Sequence, residues 1–187
     1  LFYSQSFILY LGPSYKRKTV YVIIIMAFNQ QDTECMALAL KLSKLGRGSV
    51  GANPIVGCVI TRDDNIIAQD YHRHYGESHA EVNALDQINH KAHDCNVYVT
   101  LEPCSHQGKT PPCVKALINA NVSKVFVATL DSNPEVSGSG VRLLRDNGIE
   151  VEVGLLENAA IEVNRGFFKR MKTGLPFVTS KIAMSLD

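Results

Sequence analysis

The segment Gly76-Glu77-Ser78-His79-Ala80-Glu81-Val82 and the run Leu101-Glu102-Pro103-Cys104-Ser105-His106-Gln107-Gly108-Lys109-Thr110-Pro111-Pro112-Cys113 hold the residues on which fold and chemistry turn. His79 opens a helix predicted over 79–91. Cys104 follows a strand predicted over 96–101. Cys113 sits in the first turn of a helix opening near Pro111, with Thr110 as cap and two prolines in positions that tolerate them. A helix N-terminus favours the thiolate that a metal needs. One His and two Cys would leave tetrahedral zinc one open position, the layout of a catalytic site. The two cysteines are farther apart than the usual zinc pairing, so spacing alone also fits two buried thiols and a helix-start histidine. Glu81 is likewise open to two readings. It is placed to act as a base beside a metal, and Ser78-x-x-Glu81 also matches a capping box.

Working outward, Met36, Ala39, Leu40, Leu42 and Leu45 fall near helical spacing over 32–45, with Gly46 at the C-cap position. Two β-rich runs, 55–61 and 66–71, flank Arg62-Asp63-Asp64-Asn65, a hairpin signal. A strand over 124–129, a helix over 139–147, a strand over 149–153 and a last helix over 156–171 follow. A hairpin followed by alternating helix and strand implies a three-layer α/β/α domain around a mixed sheet. Residues 175–184 read as one more strand.

The 187 residues suit one domain, or one domain plus part of another. Hydrophobic residues make up 45%, which excludes a disordered or low-complexity chain. A formal charge of +1 gives no global field for nucleic acid or a membrane surface. Five cysteines, an odd number, argue for thiols or ligands over a secreted disulfide framework and for a cytoplasmic protein. Cys35, Cys58 and Cys95 read as small buried hydrophobes. The apolar run 19–28 after Lys16-Arg17-Lys18 is too short to span a membrane and lacks a cleavage site. Residues 1–25 are therefore expected to be a leader or extension outside a domain that starts at Met26.

His79-Ala80-Glu81 with Pro103-Cys104 and a later Cys resembles the zinc nucleobase-deaminase signature, His-x-Glu with Pro-Cys-x-x-Cys. The lengthened second half, Glu102 through Cys113, is similar to the pyrimidine deaminase of riboflavin biosynthesis, and the likeness runs from about residue 30 to 187. The resemblance implies a cytidine-deaminase-like domain over 26–172. It implies one Zn2+ held by His79, Cys104 and Cys113, with Glu81 as proton shuttle. It also implies substrate contacts from Asn53, His106, Lys109 and Asn133; Asn53 and Asn133 could instead form turns, and Lys109 could lie in a solvated loop. Ser78 and Ala52 stand where relatives often carry proline. His72, His74, His90 and His93 are not expected to be ligands. The substrate implied is 2,5-diamino-6-(5-phosphoribosylamino)pyrimidin-4(3H)-one, with no nucleic-acid or membrane partner and with homo-oligomerisation left open. Residues 173–187 resemble the start of a fused reductase, to which any NADPH would belong. A tRNA or free-base deaminase, or a structural zinc module, are the rival readings.

Overall fold

A computed structural model describes residues 28–133 and 137–184; the expected leader lies outside them. The elements are α1 (Gln30–Ser43), β1 (Gly57–Arg62), β2 (Asn65–Tyr71), α2 (Ala80–Gln87), β3 (Asn96–Val99), α3 (Cys113–Asn119), β4 (Lys124–Val127), α4 (Ser139–Asp146), β5 (Glu150–Val153), α5 (Glu157–Val163) and α6 (Arg165–Thr173). The sheet order is β2-β1-β3-β4-β5. β1 is antiparallel to β2 and β3, while β3, β4 and β5 run parallel. This is the expected mixed sheet.

Strand alternation divides the core into two layers. Cys58, Ile60, Val97, Val99, Val125 and Val127 face the helices α2, α3 and α4. Val59, Tyr98 and Phe126 face α1 and α5 on the other side, packed with Met36, Ala39 and Ala160. Tyr98 and Phe126 stack with ring centroids 4.7 Å apart, and the Tyr98 hydroxyl donates to Asp32 Oδ1 at 2.8 Å. Asp32 also closes a capping box with Asn29 at the start of α1. The same carboxylate thus starts the helix and fastens it to the sheet. Cys35, Cys58 and Cys95 are buried, as expected.

Local turn chemistry was readable, and the hairpin forms with Asp63 and Asp64 both at positive φ, as a type I′ turn requires. Several boundaries differ from expectation. The helix after His79 stops at Gln87, because Asn89 and His90 take left-handed conformations. Leu45 falls in a 3-10 turn after α1 and is exposed. Gly46 is not a left-handed cap. It is needed for closeness, since a Cβ there would lie 2.5 Å from the His72 carbonyl oxygen. Thr110 does not cap α3, which starts at Cys113 after Pro112. Residues 175–184 form no strand, and Leu175, Val178, Ile182 and Met184 are exposed.

The helix expected over 156–171 is two helices that meet at Asn164. Asn164 is buried, and its side chain accepts from the Ile55 N–H at 2.8 Å and donates to the Ile55 carbonyl at 2.9 Å. The break thus ties the end of the chain to the segment entering β1. Asn164→Ala should destabilise the fold by about 1–3 kcal/mol, the cost of leaving buried polar groups unpaired. Urea denaturation measures it, and an unchanged midpoint would show that the Ile55 groups need no partner.

Candidate active site

Because β1 is antiparallel to β3, the entrance of β1 lies beside the exit of β3, with Cys58 opposite Val99. Two helix N-termini arrive at the same place. His79 is the N-cap residue of α2, and Cys113 is the first residue of α3. The loop leaving β3 is fastened to α3 by two bonds: the Cys113 N–H donates to Cys104 Sγ at 3.3 Å, and the Val114 N–H to the Cys104 carbonyl at 3.2 Å. The segment before α2 is held by Asn83, whose amide donates to the carbonyls of Tyr71 and Ser78.

Three potential ligand atoms converge in consequence. His79 Nδ1 lies 3.1 Å from Cys113 Sγ and 3.5 Å from Cys104 Sγ, and one ligand atom from each residue falls within 4.8 Å of the others. A hydrogen bond from Cys113, aided by His79 and the Cys113 amide, pulls the Cys104 thiol pKa well down. Sharing that hydrogen bond with Cys104, together with burial, drives Cys113 the opposite way. His79 is raised, first by its hydrogen bond to Cys104. One imidazole nitrogen and two sulfurs, one of them in surroundings that favour its thiolate form, make a donor set suited to zinc with a position left open.

Glu81 lies in the first turn of α2 and is 3% exposed. Ser78 is not the cap and α2 has no side-chain capping bond, so the capping-box reading falls. Glu81 Oε2 is buried with no hydrogen-bond partner, and burial raises the carboxyl pKa to about 7, against a smaller pull from His79. A carboxylate poised near neutrality, one oxygen unengaged, can both accept and return a proton. His79, Glu81 and Cys104 line a cavity of about 390 Å3.

A family model described as the cytidine and deoxycytidylate deaminase zinc-binding region matches residues 29–129. The chain belongs to this deaminase family. It is 49% identical over 146 residues to a protein of Buchnera aphidicola (subsp. Schizaphis graminum) named diaminohydroxyphosphoribosylamino-pyrimidine deaminase, covering 78% of this chain and 99% of that one. It is also 49% identical over 157 residues to the Escherichia coli riboflavin biosynthesis protein RibD, covering 84% of this chain and 43% of the relative. The chain thus spans less than half the length of that RibD. Among solved structures, Acinetobacter baumannii RibD superposes with a TM-score of 0.77 at 50% identity, covering 79% of this chain and 42% of that one. A structure titled for tRNA:A34 deaminases shares the fold with a TM-score of 0.55 at 24% identity.

In this deaminase domain, Asn53, His106, Lys109 and Asn133 all line the same cavity as Glu81. Lys109 Nζ sits 4.1 Å from the centre of the Tyr75 ring and has no carboxylate partner among the described residues. His72 is buried, with its ring centroid 5.1 Å from that of His79, while His90 and His93 are paired with Asp86 and Asp94 away from the site. Sequence reasoning missed Tyr75, Asp131, Phe167, Arg170 and Met171 in the cavity wall. The last three arrive on α6, beyond the residues that the family model matches. The proline-free positions are secured in another way: Arg170 donates to the Ala52 carbonyl at 2.9 Å, and Asn83 to that of Ser78.

Cys104→Ser and Cys113→Ser should each lose most of the zinc that the wild-type chain retains through dialysis, because each removes one of three donors. Metal analysis at equal protein concentration is the check. Full zinc content in both variants would show that the sulfurs are not ligands.

Proposed function

We propose that the chain hydrolyses the amidine C–N bond at C2 of 2,5-diamino-6-(5-phosphoribosylamino)pyrimidin-4(3H)-one, giving 5-amino-6-(5-phosphoribosylamino)uracil and ammonia in riboflavin biosynthesis. The observation that carries this reading is the unpartnered, buried Glu81 oxygen beside the His79, Cys104 and Cys113 donors, at a cavity that also holds Lys109. The name of the Buchnera relative, diaminohydroxyphosphoribosylamino-pyrimidine deaminase, matched over nearly its whole length, supports the same substrate.

In this reading His79 Nδ1 and the sulfurs of Cys104 and Cys113 hold one Zn2+, which supplies the positive charge that makes water acidic enough to attack near neutral pH. Glu81 accepts a proton from the attacking water as its oxygen bonds to C2. The carboxyl group then returns that proton to the exocyclic amino nitrogen. The C2–N bond to the amino group breaks and ammonia leaves, and the hydroxyl proton left on C2 passes to ring N1 as C2 becomes a carbonyl. Raised toward neutrality by burial, Glu81 suits both halves of this exchange. Asn53 and His106 offer donors and acceptors to the pyrimidine or sugar, while Lys109 and Asn133 bind the phosphate. Tyr75 steadies the Lys109 ammonium against its ring without neutralising it.

The same proposal assigns residues 26–172 to the deaminase unit and 173–187 to the start of a reductase segment. The deaminase-only Buchnera relative and the Thermotoga maritima relative, titled as both deaminase and reductase, support that division. NADPH belongs, in this reading, to the reductase.

Ammonia release from the diaminopyrimidine, with cytidine and a tRNA anticodon stem as controls, tests the assignment. Glu81→Gln should fold and keep its zinc while losing about 100-fold or more in kcat, the scale of general acid–base catalysis. A near wild-type rate with zinc in place would remove Glu81 from the mechanism. Lys109→Ala should raise KM for the phosphorylated substrate and affect a dephosphorylated analogue much less. Equal losses on both would assign Lys109 another task.

A further inference from the structure

Glu102 stands two residues before Cys104, and its carboxylate is almost wholly withdrawn from solvent. Both oxygens reach the start of α4, whose N-cap is Gly138, and one of them also reaches the turn after β4. Oε2 accepts from the N–H of Asp131 at 3.1 Å and of Gly138 at 2.9 Å. Oε1 accepts from the N–H of Gly140 at 2.9 Å and of Val141 at 3.3 Å. The first pair includes the turn that carries Asn133 into the cavity, and the second belongs to the opening of α4. Helix-start amides have no partner within their own helix, so an ionised carboxylate satisfies them with charge-assisted bonds.

Two neighbouring contacts make the junction tight. A Cβ on Gly140 would lie 2.1 Å from the Pro103 carbonyl oxygen, so α4 packs directly against the peptide that leads to Cys104. Ser105 Oγ and Ser139 Oγ lie 2.7 Å apart, on the other side of Cys104. The loop holding one sulfur donor is therefore bracketed by α4 before and after that donor.

We propose that Glu102 is a positioning residue that couples the Cys104 loop to the Asp131–Asn133 wall of the cavity, so that the metal donor and the substrate wall take up their places together. The proposal rests on the deaminase reading of the cavity for its kinetic consequence, but not for its geometry. Glutamine at 102 has nearly the same shape, yet it would turn an N–H2 group toward one pair of backbone donors. One arm of the junction must then loosen, whichever way the amide is oriented.

The test uses the full chain. Glu102→Gln should keep its metal content, raise KM for the phosphorylated diaminopyrimidine about tenfold, as expected for a loosened polar anchor, and shift the visible absorption bands of the cobalt-substituted protein. A lowered unfolding temperature with both KM and the cobalt spectrum unchanged would make Glu102 a purely structural residue and overturn the proposal. A change in one without the other would equally sink the coupling. A second measurement needs no variant and decides the matter even where Glu102→Gln fails to fold. In the wild-type chain, zinc should slow deuterium exchange at the amides of Asp131, Gly138, Gly140 and Val141 by more than it slows exchange along α1, which reports only the global stabilisation. A slowing no greater than that along α1 would overturn the coupling. If wild-type protein releases no ammonia, the function proposed above fails, while the exchange and cobalt measurements still read the coupling itself.

Discussion

The bond from the Cys113 amide to Cys104 Sγ is the contact around which the site is built. It joins the exit of β3 to the first residue of α3, although the chain between them makes a long excursion. The sulfur gains a hydrogen bond that favours its ionised form, and the helix gains a partner for an amide that would otherwise be unpaired. With those two ends fastened, the residues between them can vary in length without moving the donors. The domain uses that freedom to carry His106 and Lys109 over the cavity.

Around this junction, the polar interior is concentrated at one end of the sheet. Val97, Val99, Val125 and Val127 pack as an unbroken apolar layer, whereas the residues just past their strands include Thr100, Glu102 and Thr129, all buried. Parallel strands bring their exits to one side, and the antiparallel β1 adds its entrance there. The site therefore lies where the sheet ends and the backbone is free to turn toward a ligand. Two side-chain atoms among the described residues are buried there without a hydrogen-bond partner, Glu81 Oε2 and Ser132 Oγ, and only the first belongs to a carboxylate. A buried, unpartnered carboxylate oxygen is costly to fold around, and the proposed proton exchange at Glu81 would give that cost a use.

How much of this could be read in advance depended on the reach of each interaction. The Asp63-Asp64 hairpin rests on neighbours a few residues away, and it was legible. The convergence of His79, Cys104 and Cys113 was not given by their spacing, which also suits buried thiols; it was expected from the resemblance to the deaminase signature, while Thr110 and Ser78, read as possible caps, do not cap the helices beside them. The break at Asn164 was invisible because its partner, Ile55, lies 109 residues away. Arg170 and Phe167 were invisible for a similar reason: helical periodicity gives no hint that α6 returns to the cavity. Glu102 stood in plain view within Leu-Glu-Pro-Cys, but no local pattern says that a carboxylate will gather amides from beyond residue 130.

The donors themselves come from distant stretches of chain: His79 is 25 residues from Cys104 and 34 from Cys113. An ion gripped by all three would be a removable cross-link, closing a loop of 25 residues and a shorter one of 9 at once. Its binding free energy is then also folding free energy, by mass action. Heat tolerance of such a domain becomes a property of its surroundings as well as of its sequence, rising and falling with the free metal concentration. In the proposed reading, scarcity of the ion would lower the domain's stability and expose it to proteolysis as well as silencing the reaction.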